Sequence, residues 1–138
     1  MSVSRYLVLL ENPWLPPLYM VLIFGLSSIP GVAQHGEFNI LMHINSTWQN
    51  MLHIPLFGGL QLLWLSVFNK YWGQRWQHLL LGFVLTVGYG VLDEFHQYFV
   101  AGRYASLSDI FHDAIGALVG IGVFLLLQKN AANWDGES

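Results

Sequence analysis

The residues from His78 to Leu127 read HLLLGFVLTVGYGVLDEFHQYFV, AGRYAS and LSDIFHDAIGALVGIGVFLLL, two apolar runs on either side of a short connector. Each run approaches the ~20 residues that a helix needs to cross the hydrocarbon core of a bilayer. The acidic residues of both runs lie near the connector, and the rest of each run carries no Asp, Glu, Lys or Arg. The pattern predicts two antiparallel membrane-spanning helices whose polar ends meet.

The composition of the whole chain agrees with lipid as its main solvent. Hydrophobic residues make up 54% of the 138 residues and charged residues only 9%, whereas about 25% charged residues are usual in a soluble domain. The net charge is −3 and there is no basic run, so no nucleic-acid partner is expected. Cysteine is absent, which excludes disulfides, thiol nucleophiles and Cys-ligated metal sites.

Two further apolar runs come before this pair, so we expect an all-α membrane protein, a four-transmembrane-helix bundle in a single domain over residues 1–138. The spans are expected at roughly residues 14–30, 51–68, 78–100 and 107–128, with a disordered tail at 130–138. Four spans place all basic residues but Arg103 on one side of the membrane, namely Arg5, Lys70, Arg75 and Lys129. Because Lys and Arg in short loops favour the cytoplasm, the N- and C-termini are predicted to be cytoplasmic.

Polar and small residues form a stripe on each of the last two spans. The stripe on the third span comprises Gly82, Thr86, Gly90, Asp93, His96 and Gln97, and that on the fourth comprises Asp109, His112, Asp113, Gly116 and Gly120. Helical spacing places each set on one face. The small residues allow close packing of helices, which we expect within the chain rather than between chains.

The polar ends of all four spans are expected at the outer membrane face. They would gather His53, Asp93, Glu94, His96, Gln97, Arg103, Asp109, His112, Asp113 and Ser28, and the segment from His35 to Asn50 could cover them. An ionisable side chain in hydrocarbon costs roughly 2.5–3.5 kcal/mol on insertion scales, so such a cluster is a functional-site hypothesis.

Structural roles compete with this interpretation for several residues. Ser106 and Asp109 fit a helix N-terminus, where a hydroxyl caps and a carboxylate is favoured. Arg103 fits either a pin that ties the connector to Asp93 or Glu94, or a phosphate contact. His53 fits an interfacial residue as well as a functional one. A metal site built from His96, His112, Asp93 and Asp113 lacks an established ligand spacing, so neither a metal nor a cofactor is predicted.

The residues Leu92–Phe99, followed by Gly102, Arg103, Ser106, Asp109 and the run Gly116–Gly120, resemble the signature of the VanZ-like family of small bacterial membrane proteins. The resemblance covers about Ser27 to Leu127, and His53 resembles the family's histidine at the head of the second span. Asn50, Phe57, Ala101 and Asp113 depart from the family's pattern. The resemblance implies a multi-pass protein of the bacterial cytoplasmic (inner) membrane with a role in the cell envelope. The family's namesake is associated with low-level resistance to the glycopeptide teicoplanin, so a link to glycopeptide tolerance is a further expectation.

Two functions from different classes fit these residues, and the sequence leaves enzymatic activity and oligomeric state open. The first is an enzyme acting on a membrane lipid or lipid-linked envelope precursor, with Asp93, Glu94, His96 and Asp109 as catalytic residues and His53, Gln97, Arg103, Ser106 and Asp113 as substrate-binding residues. In it, Arg103 holds a phosphate or carboxylate and His96, alone or with Asp93, acts as general base. The second is a non-catalytic module that binds a lipid headgroup, a cell-wall precursor or a glycopeptide. A proton-coupled carrier is a weaker third.

Overall fold

A computed structural model of the chain describes residues 9–30, 51–73, 75–103 and 105–135. Its four helices are α1 (Leu15–Ser27), α2 (His53–Trp72), α3 (Trp76–Gln97) and α4 (Leu107–Asp135). The all-α prediction with four helices is therefore confirmed for the described part of the chain. The segment from His35 to Asn50, predicted to cover the polar cluster, lies outside it.

The helix ends follow local sequence signals. Pro16 and Pro17 occupy the first turn of α1, where the missing N–H of proline costs nothing. Gly73 between α2 and α3 and Gly102 between α3 and α4 both have a φ of 74°, a left-handed conformation that glycine adopts without steric cost. These two glycines allow the tight connections on which the bundle depends.

The predicted boundary of the C-terminal tail is wrong. Residues 130–135, which we expected to be disordered, continue α4 without a break to Asp135. The Ala131-Ala132 pair explains the difference because alanine has the highest intrinsic helix propensity, and no proline or glycine interrupts the chain before Gly136.

Helix α2 occupies the centre of the bundle. It contacts the other three helices, and its interface with α4 is the most extensive. A Cβ atom added to Gly116 of α4 would lie 3.1 Å from the backbone nitrogen of Gly58 and closer still to the carbonyl oxygen of Ile54. The glycine stripe of α4 therefore packs within the chain, as predicted, and its partner is α2.

Two of the helices have the length and apolar character of membrane spans. The mean hydropathy reaches 1.3 for Trp76–Gln97 and 2.1 for Leu107–Asn133, while α1 is a shorter apolar helix. Helix α2 does not reach the same hydropathy, and its central position explains why it carries buried polar residues such as Gln61 and Ser66. Large apolar side chains of α3 and α4 face outward, including Leu80, Val84, Leu118 and Leu126, as lipid contact requires.

Candidate functional site at the polar end of the bundle

A histidine of α2 and an aspartate of α4 are joined by a side-chain hydrogen bond at the polar end of the bundle. His53 Nδ1 lies 2.8 Å from Asp113 Oδ1, and the Asp113 side chain is fully buried. When the Asp113 carboxylate is ionised it can only accept, and the ring N–H of His53 is then the donor of this bond. A Cβ atom on Gly90 of α3 would overlap Asp113 Oδ2, so a small residue at this position of the α3 stripe is what makes room for the carboxylate.

The carboxylate of Glu94 ties the end of α3 to the start of α4. Glu94 Oε2 accepts the backbone N–H of Ser106 at 2.7 Å. The hydroxyl of Ser106 accepts the backbone N–H of Ser108 at 3.1 Å, as in the helix-capping role considered from the sequence. Ser106 therefore serves the structure of the connector through both its backbone and its side chain.

Three ionisable side chains from different helices come together beside this connection. A ring nitrogen of His53 and one carboxylate oxygen each of Glu94 and Asp109 lie within 4.8 Å of one another. Asp109 is 5% exposed and Glu94 is 4% exposed, so bulk water has little access to either carboxylate. Among the described residues, these three are the group whose types and distances fit a metal ion.

Asp93, which precedes Glu94 on α3, forms a second polar group with Gln97 of the same helix. Gln97 Nε2 donates to Asp93 Oδ2 at 2.8 Å, whereas Asp93 Oδ1 is buried without a hydrogen-bond partner among the described residues. Gln97 therefore fixes one carboxylate oxygen of Asp93, and the other carboxylate oxygen has no hydrogen-bond partner among the described residues.

Arg103 binds the end of α1 rather than a carboxylate. Its Nε donates to the carbonyl of Ile29 at 3.0 Å and its Nη2 to that of Leu26 at 3.5 Å, and it forms no ion pair with another described residue. Burial lowers the pKa of the Arg103 guanidinium, while the charges of Asp93, Asp109 and Glu94 raise it. The guanidinium thus stays a cation close to the carboxylates and pins the connector to α1.

His96 lies on another side of α3. Its Nε2 is 2.9 Å from Ser28 Oγ, and its ring is 4.2 Å from the ring of Phe24, centroid to centroid. The Ser28 hydroxyl donates its only hydrogen to the carbonyl of Phe24 at 2.6 Å. His96 Nε2–H must therefore donate to Ser28, so this nitrogen is occupied and His96 joins α3 to α1.

His112 was predicted on the polar stripe of α4. Its Nδ1 lies 3.8 Å from Asp109 Oδ1.

A cavity opens beside the polar end, between α1, α2 and α3. Its volume is about 110 Å³, well below the ~300 Å³ of a site that encloses a drug-sized ligand. Its polar lining is His53, Asp93, Gln97, Arg103 and Ser27, and its apolar lining comes from α1 and α2, including Ile23, Leu26, Leu52, Leu56 and Phe57. The cavity lining thus combines apolar side chains with charged and polar ones.

The family assignment agrees with this arrangement of a polar cluster on membrane-type helices. A family model described as VanZ/LLP1 matches residues 12–128. The chain belongs to the VanZ/LLP1 family. No curated protein and no solved structure matches it. The VanZ-like resemblance read from the sequence is confirmed, and with it membership of a family of membrane proteins.

Within this VanZ/LLP1 domain, one buried polar pair was missed by sequence reasoning. Thr86 Oγ1 donates to Gln61 Oε1 at 2.8 Å, and both side chains are fully buried. Thr86 appeared in the predicted α3 stripe, but Gln61 of α2 was read as part of an apolar run. The signal was available, because a glutamine in the middle of a span is costly unless another helix offers it a hydrogen bond.

Proposed function

We propose that this VanZ/LLP1 protein is a four-span protein of the bacterial cytoplasmic membrane with its polar site at the outer face. Both termini would lie in the cytoplasm. The distribution of basic residues supports this orientation, since Arg5, Lys70, Arg75 and Lys129 would all be inside. The hydrogen bonds that join Ser28 to His96, His53 to Asp113 and Glu94 to Ser106 support a shared face for the polar ends of all four helices.

The proposed activity is that of an enzyme acting on a phosphate-bearing envelope lipid or lipid-linked intermediate. The observation that carries it is the cavity, whose lining combines apolar side chains of α1 and α2 with Arg103, Asp93 and His53. An amphiphile fits such a cavity in one orientation, with its headgroup at the charged side chains and its chains along α1 and α2. The small volume suits a phosphate group with ordered water, while the chains would lie along the apolar surfaces.

In this proposal Arg103 binds a phosphate oxygen and Asp93 acts as general base. Asp93 is one of the residues that line the cavity; its Oδ1 is buried without a hydrogen-bond partner among the described residues, while Gln97 fixes Oδ2. Such an oxygen could accept the proton of a water that attacks the phosphorus of the headgroup, while the bond from phosphorus to the leaving oxygen breaks and that oxygen takes up a proton from water, provided that the attacking water lies within hydrogen-bond reach. Asp93 is preferred to His96 in this role because Asp93 lines the cavity, whereas His96 is not among its lining residues.

The second candidate is a non-catalytic module that binds a lipid headgroup, a cell-wall precursor or a glycopeptide. The two bonds from Arg103 to the carbonyls of α1 favour it, because they hold the guanidinium ready for recognition. Binding of a cell-wall precursor would also connect the protein to glycopeptide tolerance.

Lipid analysis of the purified protein tests the enzyme proposal. Wild type, Arg103→Ala and Asp93→Asn are incorporated into vesicles of host envelope lipid, and bound lipid and products are measured by mass spectrometry. Arg75→Ala serves as the matched control because Arg75 lies at the opposite end of α3. The enzyme proposal predicts that Arg103→Ala loses bound lipid at least tenfold, whereas Asp93→Asn retains the lipid but forms no product. Unchanged lipid in Asp93→Asn without any product from wild type would indicate the binding module, and equal lipid in wild type and Arg103→Ala would contradict both.

A further inference from the structure

We propose that His53, Glu94 and Asp109 bind a divalent transition-metal ion. The candidate ligand atoms, one from each side chain, lie within 4.8 Å of one another. Zinc binds nitrogen and oxygen at ~2.0–2.2 Å in a tetrahedron, so two of its ligands are about 3.3–3.6 Å apart. Atoms at the 4.8 Å limit would therefore have to approach one another by about 1.5 Å to complete the coordination. The site goes beyond the proposed function, because it exists whether the protein transforms its lipid or only binds it.

The partner of His53 supports this assignment. A metal-binding histidine almost always donates its second ring N–H to a carboxylate or carbonyl, which fixes the tautomer and orients the ring. His53 Nδ1 has this kind of bond, at 2.8 Å to the fully buried Asp113. The bond leaves Nε2 as the ring nitrogen that can bind a metal. Asp113 would then be a positioning residue for the metal ligand.

Glu94 supplies an unpartnered oxygen. Its Oε2 accepts the N–H of Ser106, but its Oε1 is buried without a hydrogen-bond partner among the described residues. The side chain as a whole is only 4% exposed. A buried carboxylate oxygen without a partner has lost its hydrogen bonds to water and gained none in exchange, which costs free energy. A cation bound to this oxygen would offset that cost.

The charge balance of the cluster points to a cation as well. Asp93, Glu94, Asp109 and Asp113 are 3%, 4%, 5% and 0% exposed, respectively. Among the described residues the nearby cations are Arg103, which binds carbonyl groups, and the histidines His53 and His112 when they are protonated. Buried charges are ordinarily paired or coordinate metals, and a divalent cation would offset two of the negative charges.

The ligand types select the kind of ion. One imidazole and two carboxylates suit Zn²⁺ or Mn²⁺, whereas Mg²⁺ and Ca²⁺ favour sites made of oxygen alone. Three protein ligands leave coordination positions open, as in catalytic metal sites. Since His53 also lines the cavity, a phosphate oxygen of the ligand could fill one of these positions.

No metal was predicted from the sequence because no established spacing of metal ligands along the chain is present. His53, Glu94 and Asp109 belong to α2, α3 and α4, so their proximity arises from the helix packing alone. The alternative set weighed from the sequence contained His96 and Asp113. In the structure, His96 is bonded to Ser28, and Asp113 serves as the partner of His53.

Metal analysis of the purified full-length protein tests the site. Protein in detergent is equilibrated with Zn²⁺ or Mn²⁺, freed of excess ion and analysed by mass spectrometry for metal per chain. We expect about one ion per wild-type chain and at least a tenfold loss of affinity in His53→Gln, Glu94→Gln and Asp109→Asn. Asp113→Asn should weaken binding roughly 10–100-fold, as the loss of an outer partner does. The matched controls His96→Gln and Asp93→Asn should keep the metal.

A spectroscopic measurement on the wild type keeps the test independent of how the variants fold. Pulsed electron paramagnetic resonance of bound Mn²⁺ should show the nitrogen coupling of a directly coordinated imidazole. Absence of stoichiometric Zn²⁺ or Mn²⁺, absence of the nitrogen coupling, or equal metal loss in Asp93→Asn and Glu94→Gln would overturn the proposal. Failure of the lipid assay would leave these metal measurements unaffected, so the two proposals fail separately.

Discussion

Gln61 and Thr86 show how single residues stabilise this bundle. Their side chains bond to each other at 2.8 Å in the middle of helices α2 and α3, fully buried from solvent. Hydrogen bonds between membrane helices contribute about 0.6 kcal/mol on average and up to about 1.7. The pair therefore stabilises the contact between the two helices modestly, and it fixes their relative rotation because both groups would otherwise be unsatisfied.

The first prediction concerns this pair. Thr86→Val and Gln61→Leu should each destabilise the protein, while the double variant should lose less than the sum of the two. The coupling in this double-mutant cycle should be about 0.5–2 kcal/mol, measured by equilibrium unfolding in mixed micelles. Additive losses would mean that the hydrogen bond contributes nothing to stability.

The sequence indicates which polar residues face the interior of the bundle, but not which of them form hydrogen bonds with each other. Asp93, Gln97 and Asp113 could be assigned to the interior because helical spacing fixes which residues share a face. The pairing of His53 with Asp113 could not be predicted, since the two are 60 positions apart. It depends on how α2 and α4 rotate about their axes, which local sequence patterns do not specify.

At the scale of the helices, the close approach of α2 and α4 organises the fold. Gly116 and Gly120 of α4 lie so near Ile54 and Gly58 of α2 that added Cβ atoms would meet the backbone of α2. Gly122, further along α4, has open space beside it. The stripe identified from the sequence therefore marks a real packing face, but the sequence could not show that the partner of its glycines is α2.

The second prediction follows from this contrast. Gly116→Ala should separate α2 from α4 and cost about 1–3 kcal/mol, as overpacking does in a close-packed interior. Gly122→Ala is the matched control and should be neutral or slightly stabilising, because alanine favours the helix and meets nothing there. Thermal unfolding in detergent measures both. Equal melting temperatures for the two variants would contradict the packing described for Gly116.

At the scale of the whole molecule, the proposed orientation in the membrane depends on four crossings. Two helices, α3 and α4, are long and apolar enough to cross without help from their neighbours. Helix α1 is only 13 residues long, and α2 is buried among the others. The sequence predicts α1 and α2 as spans like the other two. Helix α2 nevertheless has a lower mean hydropathy than α3 and α4, because more of its surface faces the other helices.

The third prediction is the membrane orientation itself. The chain has no cysteine, so single cysteines can be introduced without a background signal. Ala101→Cys, in the connector before α4, should react with an impermeant maleimide in intact spheroplasts. Gln77→Cys, at the start of α3, should react only after the membrane is opened. Both residues are exposed in the structure. Labelling of Gln77→Cys in intact spheroplasts would reverse the proposed orientation, and labelling of both would contradict a span formed by α3.

The most direct test of a chemical role for the polar cluster is complementation of a deletion strain. An envelope-stress or antibiotic-sensitivity phenotype is scored after expression of wild type or the isosteric variants His53→Gln, Asp93→Asn, Arg103→Lys and Asp109→Asn, with membrane levels measured for each. The predicted result is that the variants accumulate like wild type yet fail to restore growth. If they restore it fully, or fail only in proportion to their loss from the membrane, the cluster serves helix assembly and the proposed site is wrong.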